Sequence, residues 1–198
     1  MARKVDPERQ EAHRQEVVAA AMQCFAEKGI HATSTAEICR VAGMSAGNLF
    51  YYFPSKDAIV QAIAEYDRRD MAVIFDEAKA QADAIDGIMF ILDASLTQSG
   101  DPAFARLSLE IATEATRNPA VAAMFVDHEV LMIEAFCTLL ERGVEQGTVD
   151  PELDFEKAAL WLIAIAEGAI GHVVLGRPFD PKAHHDILVR LVKRFLAP

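Results

Sequence analysis

The chain has 198 residues, of which 52% are apolar and 25% charged, and its formal net charge is -11. This composition belongs to a folded globular protein rather than a disordered one, and the length allows one large domain or two small ones. Acidity on this scale argues against a protein that coats nucleic acid through bulk charge.

The charge is unevenly spread. Residues 1–56 hold seven Lys or Arg (Arg3, Lys4, Arg9, Arg14, Lys28, Arg40, Lys56) against six Asp or Glu, a net of +1; the other 142 residues hold twelve against twenty-four, a net of -12. That asymmetry suggests two jobs in one chain. Cys24, Cys39 and Cys137 are odd in number, far apart and set in apolar helical patterns, so they read as reduced core thiols of a cytoplasmic protein. The opening residues lead straight into charge, and no secretory apolar segment is expected.

Helix formers dominate and the period-two alternation of a half-buried strand is absent, so the sequence predicts an all-α protein. The first helix is expected from Pro7 or Glu8, with Asp6 as N-cap, to Lys28; Val17, Val18, Ala21, Met22 and Phe25 recur at helical spacing, and Gly29 ends it. Ser34-Thr35-Ala36-Glu37 has capping-box spacing and opens a second helix that Gly43 stops. Ser45 suits the cap of a third helix through Phe53, and Pro54-Ser55 opens a long fourth helix toward Gln81. Beyond it, Gly and Pro punctuate helices at Asp86 to Ser99, Pro102 to Arg117, Pro119 to Gln146, Asp154 to Leu175 and about Pro181 to Leu196. The apolar run from Ala158 to Gly176 has the length of a membrane span, but Glu167 at its centre costs about 2.5 to 3.5 kcal/mol on insertion scales. A buried helix–helix interface is the better reading, and no membrane partner is expected.

Residues 34–56 carry the most specific signal. Gly43 lies in a short turn between two helices of about eight residues; Ile38, Met44 and Leu49 supply inward contacts, and Cys39 is small enough for the helices to cross closely. This is helix-turn-helix spacing, whose second helix is presented to the DNA major groove. Gly47 and Ala46 would let the backbone approach DNA, and Asn48 is the side chain there able to make a bidentate contact with adenine N6 and N7. Ser34, Thr35 and Ser45 at helix N-termini suit phosphates, and Lys56 reads as a phosphate clamp. The recognition helix has no Lys or Arg, so Arg40, with Arg3, Lys4, Arg9 and Arg14, is expected to supply charge. Phe50 and Phe53 are expected in the core, whereas for Tyr51 and Tyr52 DNA contact and packing both stay open.

Thr35, Ile38, Ala42, Gly43, Ser45, Gly47, Leu49, Tyr51, Phe53, Ser55 and Lys56 fall at the places of a pattern that resembles the TetR family of bacterial transcriptional regulators. The chain departs from that pattern at Phe50, where the family has a tyrosine, at Tyr52, where it has a histidine, and at Cys39, where it has an alanine. The resemblance implies a DNA-binding domain at 1–56, whose contacts would come from Ser34, Thr35, Arg40, Ser45, Ala46, Gly47, Asn48, Tyr51, Tyr52 and Lys56. It implies a ligand-sensing and dimerisation bundle at 57–198, joined through the long fourth helix, and a homodimer formed by the last two helices. A double-stranded DNA operator and a small-molecule effector that releases it would be the partners.

The residues support the dimer independently. Trp161, Leu162, Ile165, Ile170, Val173 and Val174 make the penultimate helix apolar nearly all round, and Ile187, Leu188, Leu191, Val192 and Phe195 form a stripe on the last. Candidate pocket residues are Phe75, Met89, Phe90, Phe104, Leu107, Phe125, Met132, Phe136, Trp161 and Ile165, with core packing the alternative for each. Glu110, Glu114 and Glu167 lie in apolar neighbourhoods and suit a cationic or hydrogen-bonding ligand; the alternatives are a solvated face for Glu110 and Glu114 and a dimer contact for Glu167. His172, His184 and His185 lack metal-ligand spacing, so no metal or cofactor is expected. Nucleophile-elbow, P-loop, zinc-protease and dinucleotide motifs are absent, so an enzyme is not expected. The alternative reading is an all-helical small-molecule-binding protein or enzyme whose helix-turn-helix is structural only.

Overall fold

The protein is described by a computed structural model over residues 7–177, 180 and 182–198. Within these residues the chain forms α1 (Pro7–Lys28), α2 (Thr35–Ala42), α3 (Ala46–Tyr52), α4 (Lys56–Ala80), α5 (Ala84–Ser99), α6 (Pro102–Ala115), α7 (Pro119–Glu145), α8 (Phe155–Val174) and α9 (His185–Leu196), and no strand. The all-α expectation holds. Asp6 as a cap, Arg3 and Lys4 as DNA-side cations, and Pro181 as the start of the last helix lie outside the described residues.

Short-range chemistry sets most helix ends. At α2 the Glu37 amide donates to the Ser34 hydroxyl while the Glu37 carboxylate accepts from the Ser34 amide, the reciprocal box expected from the spacing. Gly43, in the left-handed region at φ 67°, ends that helix and turns the chain toward Ser45, whose hydroxyl accepts from the Asn48 amide to begin α3. Asp83 accepts from the amides of Ile85 and Asp86, which starts α5 at Ala84 rather than at Asp86. The last helix begins at His185, later than expected, and His184 gives it no side-chain cap.

Two apolar cores result, and α4 runs through both. The first holds Val17, Val18, Ala21 and Phe25 of α1, Ile38 and Cys39 of α2, Leu49, Phe53, and Ile59, Val60, Ala62 and Ile63 of α4, together with Leu107 of α6 and Val121 of α7. The second begins at Met71 and Phe75 of α4 and gathers α5, α7, α8 and the buried edge of α9 around Phe136, Leu139, Leu140 and Leu162. Each large side chain buried there contributes about 1.5 to 3 kcal/mol of transfer free energy. A single stiff helix therefore joins the two cores, and α6 reaches from the larger bundle into the smaller one.

One face of α8 and α9 stays uncovered. On α8, Leu162, Ile163, Ala166 and Ala169 are buried, whereas Leu160 and Trp161, the latter 66% exposed, and Leu175 just past its end are exposed. On α9, Val192 and Leu196 are buried while Ile187 and Leu191 are exposed. By length and composition α8 could cross a membrane, but its inner face is part of the bundle core.

Candidate nucleic-acid interface

Helical geometry decides which α3 side chains face outward. Leu49 and Phe53 are four residues apart, share one face and are fully buried against α1, α2 and α4. Ala46, Gly47, Asn48, Phe50 and Tyr51 are exposed. Phe50 is 47% exposed, so its expected place in the core is wrong: it sits about 100° around the helix from Leu49, off the buried face. Phe53 is in the core as expected. The two tyrosines separate: Tyr51 is 63% exposed, whereas Tyr52 is half-buried with its ring 5.9 Å from that of His13 on α1. A Cβ added at Gly47 would meet no atom within 4 Å, so the chain's own packing does not require glycine there.

Several residues expected to serve DNA are engaged inside the protein. Lys56 Nζ donates to the carbonyls of Ile30 at 2.6 Å and Thr33 at 3.2 Å, which ties the start of α4 to the α1–α2 turn. Its ammonium is thereby engaged within the chain. Arg14 donates to the Tyr52 carbonyl at 3.1 Å and lies 4.4 Å over the Phe53 ring, bracing α3 on α1. The Ser34 hydroxyl donates to Glu37, and that carboxylate also pairs with Lys28. Lys28, followed by the Ser34 amide, holds the Glu37 carboxyl down at about 2, so an anion already occupies the α2 N-terminus. Thr35 is half-buried, while Arg9, Arg40 and Ser45 are exposed.

The α1–α2 turn is also where the larger bundle grips the DNA-side module. Gly29 has φ 83°, and a Cβ there would lie 2.7 Å from Glu110 Oε2 of α6. One turn along α6, Glu114 is buried at 8% exposure, with its Oε2 2.9 Å from His31 Nε2, within ion-pair range but off the hydrogen-bonding direction. The solvated-face alternative for Glu114 is therefore excluded, because the helix turns it onto α1–α2. Sequence reasoning marked Glu114 as acidic in an apolar neighbourhood but gave no sign of its partner, 83 positions away.

Along α4, Tyr66 donates to Glu11 at 2.6 Å, and His128 of α7 stands 3.2 Å from Asp67. The Asp67 contact raises the His128 pKa. A cleft of about 460 Å³ between α4 and α5 is lined by Asp67, Asp70, Met71, Ile74, Phe90, Asp93, Ala94, Thr97 and Gln98. Of the expected ligand residues, only Phe90 lines it. Phe75, Met89, Met132 and Phe136 are packed core, and Leu107 belongs to the other core. Phe104, Glu110 and Ile165 are half-buried, and Phe125 and Trp161 are exposed. The eleven are thus spread over two cores and the surface. A buried ring that fills a core and one that lines a pocket leave the same mark in a sequence. Among the described residues no group of His, Cys, Asp or Glu is arranged to hold a metal.

A glycine-ended helix, a tight turn and a short second helix with an uncharged outward face, braced on a third helix, define a helix-turn-helix DNA-binding protein with a helical bundle behind it. Comparisons agree with that class. Residues 17–63 match the family described as bacterial regulatory proteins, tetR family, and residues 84–197 match the BetI-type transcriptional repressor C-terminal region. The chain is 28% identical over 164 residues to the HTH-type transcriptional regulator UidR of Escherichia coli (strain K12), spanning 81% of each. It is 25% identical over 163 residues to the HTH-type transcriptional repressor AcnR of Corynebacterium glutamicum, spanning 82% of each. The solved structure of Salmonella enterica GusR superposes with a TM-score of 0.77 at 28% identity, covering 93% of both chains. The protein belongs to the TetR family: it is a DNA-binding transcriptional regulator and not an enzyme.

Proposed function

We propose that the chain is a cytoplasmic repressor that binds a pseudo-palindromic operator as a homodimer and leaves it when a small molecule binds the bundle. The carrying observation is the uncovered apolar face of α8 and α9, where Leu160, Trp161, Leu175, Ile187 and Leu191 stand exposed. Gly168 and Gly171 lie on α8, and a Cβ at either would meet no atom of the described residues within 4 Å, which leaves room for a partner helix to approach. Two copies joined there are related by a two-fold axis, and a two-fold protein matches a two-fold site. Their α3 helices would then enter successive major grooves about 34 to 36 Å apart.

The DNA side supports the same reading. Ala46, Gly47, Asn48, Phe50 and Tyr51 form the surface that would meet base edges, with Arg40, Ser45 and Thr35 beside them for the backbone. Effector binding would act through α4, which joins the two cores, and through Glu110 and Glu114 on the α1–α2 turn. The effector must bind more tightly to the released state than to the DNA-bound one.

Sedimentation equilibrium of the wild type and of the double variant Trp161→Glu/Leu191→Asp tests the assembly. The wild type is expected at twice the chain mass, with the variant folded, monomeric and unable to hold a two-half-site duplex. A variant that remains dimeric would move the interface elsewhere.

A further inference from the structure

The outward face of α3 is unusual in what it lacks. It carries no Lys, Arg, Gln, Asp or Glu, so it offers neither the bidentate cation that reads guanine O6 and N7 nor the carboxylate that accepts from cytosine N4. It carries two exposed apolar groups four residues apart, the Ala46 methyl and the Phe50 ring, which lie along one edge of the helix. Asn48 lies between them in sequence, exposed, with its backbone amide already bonded to Ser45 and its side-chain amide offered outward. Leu49 and Phe53 fill the core beneath α3, and Phe50, 47% exposed, stands outside it.

The major groove presents one apolar group, the C5-methyl of thymine, and one site that suits an asparagine amide, adenine N6 and N7. Both belong to A·T pairs. We propose that Phe50, with Ala46, is a specificity-determining residue that packs on thymine methyls, so that the bases under α3 in each half-site are A·T pairs, with Asn48 reading an adenine among them. This rests on the reading that α3 enters the major groove, and adds which bases it selects and by what force.

The test begins with selection from a random 30-base-pair duplex library by the full-length protein at fixed salt. In the recovered duplex, each thymine of one half-site is then replaced in turn by uracil, which removes only the methyl. At one or two positions per half-site the loss is expected to be about fourfold, the worth of one buried methyl-sized group. Phe50→Ala should bind the thymine duplex more weakly by a similar factor and lose the thymine-over-uracil preference at a position where the wild type shows it. Phe50→Leu should keep part of that preference. Because Phe50 is exposed, both variants are expected to melt with the wild type, and circular dichroism checks this. A G·C-rich recovered site, uniform tolerance of uracil, or a uracil penalty unchanged in Phe50→Ala would each overturn the proposal while leaving DNA binding intact. Recovery of no preferred sequence would overturn the operator reading and this proposal with it.

Discussion

Replacing Lys56 by methionine keeps the aliphatic stem and removes the ammonium, and so separates two roles for one residue. In the structure that ammonium donates to the carbonyls of Ile30 and Thr33, in a turn that also meets α6. Hydrogen bonds to a charged group contribute about 1.5 to 3 kcal/mol, and the half-buried setting of Lys56 puts the loss near the lower end, at about 2 kcal/mol. For a chain of this size each kcal/mol moves the melting temperature by about 2 to 4 °C, so Lys56→Met should melt about 4 to 8 °C lower. Amide exchange should rise first in the α1–α2 turn. The salt dependence of operator binding should be unchanged, because the ammonium faces carbonyls and not phosphate. A lysine on a phosphate gives the opposite pattern: melting within about 1 °C of wild type and a log–log salt slope shallower by about 1.8, one phosphate for each protomer of the dimer. That result would refute the structural role.

Three further outcomes follow from the same geometry. Gly47→Ala meets open space inside the chain, so it should leave melting unchanged or raise stability by about 0.5 kcal/mol, while its Cβ stands between backbone and DNA and weakens operator binding, read by fluorescence anisotropy. Glu37, with its pKa lowered to about 2, stabilises the α2 N-terminus above its ordinary value of 4.5 and ceases to do so as pH falls toward about 2. Amide exchange at Ser34 to Ile38 should therefore accelerate on acidification, and Glu37→Gln should abolish that dependence. His128, with its pKa raised first by Asp67, favours the folded contact fully below its ordinary 6.5 and loses this as pH rises through the folded value; ring-proton NMR should show a titration above 6.5 that Asp67→Asn lowers.

What the sequence made legible is what short-range chemistry decides. The Ser34–Glu37 box, Gly43 and the Ser45 cap each act within a few residues, so the helix-turn-helix and most helix boundaries could be read directly. The α5 start lies two residues before the expected opening because Asp83 caps it. Long-range partners were not legible. Nothing local indicates that Lys56 turns back to carbonyls 23 and 26 positions earlier, or that Glu114 reaches His31. The exposure of Phe50 was within reach: Leu49 and Phe53 define the buried face, and a residue one step beyond Leu49 leaves it. The pocket was least accessible, because most of the expected Met and Phe pack in the core and, of the expected residues, only Phe90 borders the α4–α5 cleft.

The most direct test of the account is selection of fragmented genomic DNA at fixed, moderate salt by the purified wild type and by Asn48→Ala in parallel. Asn48 is exposed on α3 and carries no part of either core, so the variant should keep the fold and its salt-dependent, sequence-independent affinity. The account predicts one pseudo-palindromic site strongly enriched by the wild type, with enrichment lost or broadened in the variant. Equal enrichment of the same site by both proteins would contradict it, because the Asn48 side chain would then take no part in base recognition.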